Sequence, residues 1–392
     1  MKLCFVTNTI FNAGGVQRVV SVIASELSKQ HEVTILCTDD SYKLDRSLYN
    51  LDKKVSIDMN SKLRRTNKIR NLFGKLFKGI NKYSGIFNNE FFKEFLSKAY
   101  IPADIRYKFI KYFNENDFDV IIGVEGFYSI LIGIISDKVN SKLIGWQHNS
   151  YDAYFKNKFK YCWNQDILFK NSLPKLNKYI VLTNYDKRLV DYNFNIDSCR
   201  IYNPLSFKSR LKSQGDKKII LFVGRLVIYQ KGIDLLIEAF KRICNCEGCE
   251  EWILKLVGDG PDKEEILKMI NNKNLESRIF VEPFSNNIEQ YYVNSSIFVS
   301  SSRWEGFGLV IIEAMECGLP VIAFNNSGPK EIIDGTNGIL IKNGDIDSLS
   351  MNMKNLINNS NERLKLANKS TRRAEDFSRE KILKQWNEIL YD

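Results

Sequence analysis

The sequence predicts an α/β protein of two domains, each a parallel sheet covered by helices. Short β-branched and aliphatic runs alternate with longer helical patterns along most of the chain, the signature of strands joined by helical crossovers. At 392 residues the chain is longer than one hydrophobic core usually organises. A polar segment, Tyr202 to Lys218, carries Asn203-Pro204 and Gln214-Gly215-Asp216 and divides the alternation into two series. With 44% apolar residues, 26% charged residues and 7 prolines, the composition is that of a globular protein and excludes a fibrous or disordered chain.

The strands expected in the first series are Leu3–Thr7, Val33–Thr38, Val120–Val124, Leu143–Trp146 and Tyr179–Leu182. Between the first two, Val16, Val19, Val20, Ile23 and Leu27 recur at helical spacing. The second series reads as strands at Ile219–Val223, Ile253–Val257, Ile279–Val281, Ile297–Ser300 and Val321–Phe324. No solenoid-length repeat is found. The start, Met1 to Thr9, reaches polar residues too soon for a secretory signal and reads as a first strand. The apolar run Val120 to Ile135 is interrupted by Glu125 and is shorter than the roughly 20 residues that span a bilayer. The expected location is cytoplasmic, peripherally associated with the inner face of the cell membrane.

The net charge is +11, which favours an anionic partner. From Met59 to Asn89 there is no acidic residue, but Lys62, Arg64, Arg65, Lys68, Arg70, Lys75, Lys78 and Lys82 are present. Within it Ile69, Leu72, Phe73, Leu76, Phe77 and Ile80 fall at helical spacing. A basic amphipathic helix over residues 62–82, resting on an anionic membrane surface, is expected. The bland alternative is a helix that packs this stripe on its own domain. Eight scattered cysteines suit a reducing compartment; Cys244, Cys246 and Cys249 cluster, but no fourth ligand stands nearby and no metal is expected.

Three loops carry candidate chemistry. Gly14 and Gly15 end the first strand's loop where a helix begins, so backbone amides can approach a ligand there. Gly224 and Arg225 close the strand Ile219–Val223, and Lys231-Gly232 follow; two cations beyond a parallel strand suit a diphosphate. Glu305-Gly306-Phe307-Gly308-Leu309 leads into an apolar helix bearing Glu313, two carboxylates that can accept hydrogen bonds from sugar hydroxyls.

Together with His148 in Trp146-Gln147-His148-Asn149, Val257-Gly258-Asp259-Gly260-Pro261, Gly318-Leu319-Pro320-Val321 and Ser327-Gly328-Pro329-Lys330-Glu331, this order resembles glycosyltransferase family 4, the retaining GT-B enzymes. The resemblance is densest from about 217 to 345 and is absent from 40 to 115. It implies the GT-B fold, two Rossmann-like domains facing across a cleft, with a C-terminal helix crossing back to the first. Domain 1 would then be 1–203 with 377–392, on the acceptor side, and domain 2 would be 204–376, holding a nucleotide sugar. Arg225 and Lys231 would bind the donor diphosphate, Glu305 would face the donor sugar, Glu313 would hold the ribose, and His148 would touch the transferred sugar. Gly14 and Gly15 would approach diphosphate or acceptor, with Gly224, Gly306, Phe307, Gly308 and Leu309 lining the donor site.

The implied activity is hexose or N-acetylhexosamine transfer, UDP-sugar favoured, to a lipid-linked or growing surface glycan, without a cofactor or metal and with no nucleic-acid partner. Gln17 departs from the family's glutamate, and the Arg225–Lys231 spacing is one residue longer than expected. Asp117/Asp119 and Asp345/Asp347 read as turn and capping residues rather than a metal motif. A nucleotide-sugar epimerase on the same fold would need further acid/base groups. A non-catalytic basic binding protein would leave the joint occurrence of Arg225, Lys231, Glu305 and Glu313 unexplained.

Overall fold

Buried aliphatic strands and the helices between them form two separate parallel sheets. In the computed structural model, which describes residues 1–392 except for the side chains of Lys68 and Ile69, the chain divides into two units. One is Met1–Pro204 with Ile382–Asp392, the other Leu205–Lys381.

Unit 1 contains β1 (Lys2–Thr7), β2 (Glu32–Cys37), β3 (Ser56–Met59), β4 (Val120–Val124), β5 (Lys142–Trp146), β6 (Lys178–Val181) and β7 (Cys199–Arg200). Their order is β3-β2-β1-β4-β5-β6-β7 with every pair parallel. The five expected strands form within a residue of their expected ends. The two unanticipated ones, β3 and β7, lie at the sheet edges, where half-exposed Ser56-Ile57-Asp58-Met59 and the two-residue Cys199-Arg200 offer no apolar run. Helix α1 (Gly15–Leu27) follows β1 and buries Val19, Val20, Ile23 and Leu27.

Between β3 and β4 the chain forms α2 (Lys68–Ser84), α3 (Lys93–Tyr100) and α4 (Ala103–Asn116). The basic amphipathic helix expected over residues 62–82 forms only from Lys68, as α2. Lys62 and Arg64 lie in a separate short turn, Ser61–Arg64, and Arg65 follows it, the chain being held apart from the helix where the Thr66 hydroxyl donates to Asp104 over 2.7 Å, so the basic charges do not form one stripe. Lys78 turns inward over the Tyr100 ring, 5.2 Å from its centre. Arg70 lies 3.6 Å from Asp104, and Arg64 donates to Asn8 Oδ1 over 2.8 Å. Lys68 and Ile69, both part of the expected stripe, lie outside the described side chains.

Unit 2 contains β8 (Ile219–Val223), β9 (Ile253–Val257), β10 (Ile279–Glu282), β11 (Ile297–Ser300), β12 (Val321–Asn325) and the unanticipated edge strand β13 (Ile339–Lys342). The order is β10-β9-β8-β11-β12-β13, again all parallel. In each sheet the direction of progression reverses once, between β1 and β4 and between β8 and β11. At such a switch point the loops leaving the strand ends diverge and open a crevice.

The expected domain limits shift slightly. Phe377 to Lys381, read from sequence as part of domain 1, belong to unit 2: the Phe377 carbonyl accepts from Leu205 N over 2.8 Å, and its ring packs edge-on to Phe307 at 5.6 Å. The polar segment after Pro204 has no helix or strand, yet it is tied to unit 2. Ser209 N donates to Glu316 Oε1 over 3.0 Å, and Lys212 Nζ lies 2.9 Å from the same oxygen.

All eight cysteines are free thiols. Cys244, Cys246 and Cys249 occupy a turn whose carbonyls are held by Arg278, and among the described residues no group of three His, Cys, Asp or Glu gathers as metal ligands. Asp345 caps a helix, accepting from Ser348 N over 3.0 Å, and Asp119 accepts from Lys2 N.

Candidate functional site

The switch point of unit 2 assembles the site from the loops after β8, β11 and β12. Beyond β8, Gly224 and Arg225 turn the chain into a single helical turn, Ile228–Lys231. Gly232 ends that turn at φ +60, and a Cβ there would stand 2.1 Å from the Ser301 carbonyl oxygen. Only glycine fits both the left-handed conformation and the contact. The approach places Lys231 against the β11 loop, and the Ser301 hydroxyl donates to the Lys231 carbonyl over 2.9 Å.

Lys231 Nζ and Glu305 Oε1 form a close ion pair, with both side chains mostly buried. The same oxygen accepts from the Ser302 hydroxyl over 2.6 Å. Asn326, just after β12, fixes the loop backbone: its Oδ1 accepts from Glu305 N over 3.0 Å and its Nδ2 donates to the Ser302 carbonyl over 2.9 Å. Arg225 is exposed and, among the described residues, pairs with no carboxylate. The loops thus present Lys231 and Arg303, each paired to a carboxylate, and Arg225 facing solvent.

After Glu305, the buried residues Gly306, Phe307 and Gly308 lead into the helix Leu309–Glu316. Gly308, at φ +107, caps that helix in a backbone conformation that side-chain-bearing residues avoid. Leu309 begins the helix half-buried, and Glu313, one turn on, is fully buried. Its Oε2 accepts from the Tyr292 hydroxyl over 3.0 Å, so the carboxylate is held in one orientation.

In unit 1 the corresponding loops follow β1, β4 and β5. Gly14 N donates to the Tyr49 hydroxyl over 2.7 Å, and Tyr49 also reaches the Asn12 carbonyl at 3.2 Å. The Gly14 amide is therefore engaged within the protein, while Gly15 opens α1. His148 follows β5, buried against Trp146 with ring centres 4.2 Å apart, and its Nε2 has no hydrogen-bond partner among the described residues. Burial pushes its pKa down to about 3, so the imidazole is neutral near physiological pH. Glu125, met in the sequence only as an interruption of an apolar run, follows β4 and opens the next helix at φ +68, and burial raises its carboxyl pKa.

A family model described as glycosyl transferases group 1 matches residues 206–373. An uncharacterized glycosyltransferase of Methanocaldococcus jannaschii is 32% identical over 252 residues, covering 64% of this chain and 68% of its own. The chain belongs to the group 1 glycosyltransferases. An uncharacterized glycosyltransferase of Haemophilus influenzae is 29% identical, and the amylovoran biosynthesis glycosyltransferase AmsD of Erwinia amylovora 28% identical, each over 99% of both chains. Among solved structures, that of S. aureus TarM with UDP and α-GlcNAc-glycerol superposes with a TM-score of 0.76 at 18% identity, covering all of both chains. The fold is GT-B.

Within this glycosyltransferase the sequence located Arg225, Lys231, Glu305 and Glu313 on the loops and helix that unit 2 brings together. It missed the residues that hold them. Ser302 and Arg303 stand inside the motif but carry no chemistry of their own, and Asn326 is visible only as a polar residue ending a strand. Tyr292 meets Glu313 from a helix 21 residues earlier, a contact without local signal.

Proposed function

We propose that this group 1 glycosyltransferase is a family 4 hexosyltransferase, using a nucleotide sugar, UDP-linked by preference, and a lipid-linked or growing glycan acceptor at a membrane surface. The observation that carries this reading is the gathering of Arg225, Lys231 and Glu305 at the switch point of unit 2. A diphosphate arriving there meets two cations that stabilise the charge developing on the leaving group. Lys231 is already oriented by Glu305, while Arg225 brings a guanidinium whose planar donors suit phosphate oxygens. Glu305 then accepts from donor-sugar hydroxyls and Glu313, oriented by Tyr292, from ribose hydroxyls.

His148 acts as a neutral hydrogen-bonding group to the transferred sugar, in keeping with its depressed pKa. No side chain here is assigned as a nucleophile; transfer proceeds by front-side attack assisted by the departing phosphate, and so with retention. Catalysis is then positioning and electrostatics. Two protein cations take the place a divalent metal would fill.

The test is a screen of nucleotide hexoses for nucleoside diphosphate release, followed by NMR of the product's anomeric proton, with and without excess chelator. Retained configuration and chelator-resistant turnover are expected. Inversion, or activity lost with EDTA and restored by manganese, overturns the mechanism.

A further inference from the structure

Helix α2 carries its apolar row on the side turned away from the unit it belongs to. At about 3.6 residues per turn, Leu72, Phe73, Leu76, Ile80 and Tyr83 share an arc about 100° wide. All five are exposed, from 39% at Ile80 to 73% at Tyr83. The helix is anchored by its other side. Gly74 and Asn81 are buried there; a Cβ at Gly74 would lie 3.2 Å from the Ala99 carbonyl oxygen, and Asn81 Nδ2 donates to the Asn164 carbonyl over 2.6 Å. Lys78 faces inward as well, its pKa lowered chiefly by burial. Among the described residues of the apolar row only Phe77 turns in, edge-on to Phe95 at 4.6 Å. A surface helix ordinarily buries its apolar stripe; here the polar side packs and the apolar side faces out.

Beyond the helix end Ile86 and Phe91 are exposed as well, at 55% and 87%. Large apolar groups concentrated in this way mark an interaction surface. Its rim decides the occupant. Lys75 and Lys82 are exposed beside the row, and no acidic residue occurs between Met59 and Asn89. A second copy would bring two such basic rims together, at a cost in like-charge repulsion, whereas anionic headgroups complement the rim and leave the apolar row to enter the acyl boundary.

We infer that the outward face of α2 inserts into the headgroup boundary of an anionic bilayer. The inference deepens the proposed use of a lipid-linked acceptor, yet its test reads vesicles directly and does not depend on the donor. The full-length protein is sedimented with vesicles of phosphatidylglycerol and phosphatidylcholine in equal parts, and with phosphatidylcholine alone. Wild type should partition to the mixed vesicles at least about tenfold more than to the neutral ones. Combined Leu72→Ser, Phe73→Ser and Leu76→Ser should reduce that partition about tenfold or more. Lys75→Glu with Lys82→Glu should remove most of its salt dependence.

Melting temperature and nucleoside diphosphate release should stay at wild-type values in both variants, because none of these residues packs inward or lies in unit 2. Absent vesicle binding by wild type, or undiminished binding by the triple serine variant, overturns the inference. So does a concentration-dependent dimer in light scattering that the triple variant abolishes, since a second copy then covers the face. Failure of diphosphate release with vesicle binding intact would instead count against the proposed function alone.

Discussion

Arg303 grips Asp234 with both arms of its guanidinium, Nη1 to Oδ1 at 2.9 Å and Nη2 to Oδ2 at 2.7 Å. Nη1 also donates to the Ile228 carbonyl over 2.9 Å, and the Arg303 amide donates to the Gln230 carbonyl over 2.8 Å. The short turn bearing Lys231 is thus held at its start by Ile228, near its end by Gln230 and just beyond it by Asp234, all from one residue of the loop that bears Glu305. The ion pair between Lys231 and Glu305 inherits its geometry from this clamp, because each partner sits on one of the two loops that Arg303 joins.

Arg303 is accordingly a positioning residue. Arg303→Lys keeps the charge but loses the two-armed grip, and turnover at saturating donor should fall about tenfold, equivalent to about 1.4 kcal/mol in the barrier. Asp234→Asn should cost a similar factor, and the double variant little more than either single, since both remove the same clamp. Donor KM should change less than kcat. Wild-type turnover in Arg303→Lys, or fully additive losses, would show that the clamp does not set the site.

The two cations separate function from stability. Lys231→Ala and Arg225→Ala should each reduce turnover at least about tenfold, as each removes a charge facing the leaving diphosphate. Their effects on folding should diverge. Loss of Lys231 leaves the mostly buried Glu305 without its cation and should cost about 1–3 kcal/mol in urea unfolding, whereas loss of exposed Arg225 should stay within about 0.5 kcal/mol. Equal stability losses, or wild-type rates in both, would contradict this division of roles.

What was legible in the sequence follows from how strongly each feature is written in local pattern. Central strands such as β8 and β11 are buried on both faces and read as unbroken apolar runs, so their ends were found to within a residue. Edge strands β3 and β7 are half-exposed or only two residues long and write no such run, whereas β13 carries the short aliphatic run Ile339-Leu340-Ile341 between turn residues and is missed although its pattern is there. The loops with Arg225, Lys231 and Glu305 were legible because glycines and charges stand at strand ends. Asp234, Asn326 and Tyr292 were not, because each acts across the fold on a residue far away in sequence. Helix α2 was correctly read as amphipathic, but periodicity cannot tell which face turns inward; Gly74 and Asn81 decide that through contacts with Ala99 and Asn164.

His148 gives unit 1 a pH dependence of known sign. Its pKa is pushed down to about 3 by burial, against about 6.5 in an unfolded chain. The unfolded state therefore binds the extra proton first, and stability is withdrawn as pH falls through 6.5 toward 3. At pH 5.5 the penalty relative to neutral pH should be about 1.4 kcal/mol. His148→Leu should remove that part of the slope, measured as the difference between variant and wild type in urea unfolding at pH 7.5 and 5.5. Parallel behaviour of the two proteins would mean that His148 is protonated without cost.

The cysteine-rich turn should behave as a knot tied by Arg278 rather than as a metal site. Its guanidinium donates to four carbonyl contacts: Nε and Nη2 to Trp252 at 3.0 and 2.6 Å, Nη1 to Cys244 at 2.8 Å, and Nη2 to Cys249 at 2.8 Å. Hydrogen bonds from a charged donor contribute about 1.5–3 kcal/mol each when isolated, but these share one side chain, so Arg278→Ala should cost about 2–4 kcal/mol in total. Arg278→Lys should recover only a minority of that, because a single ammonium cannot span three separated carbonyl groups. Cys246, half-exposed and with neither its thiol nor its carbonyl among the guanidinium contacts, should tolerate Ser within about 0.5 kcal/mol. Chelator should leave every melting temperature in this series unchanged. A drop on adding chelator, matched by an equal drop in Cys246→Ser, would instead make the three thiols a metal site and Arg278 a bystander.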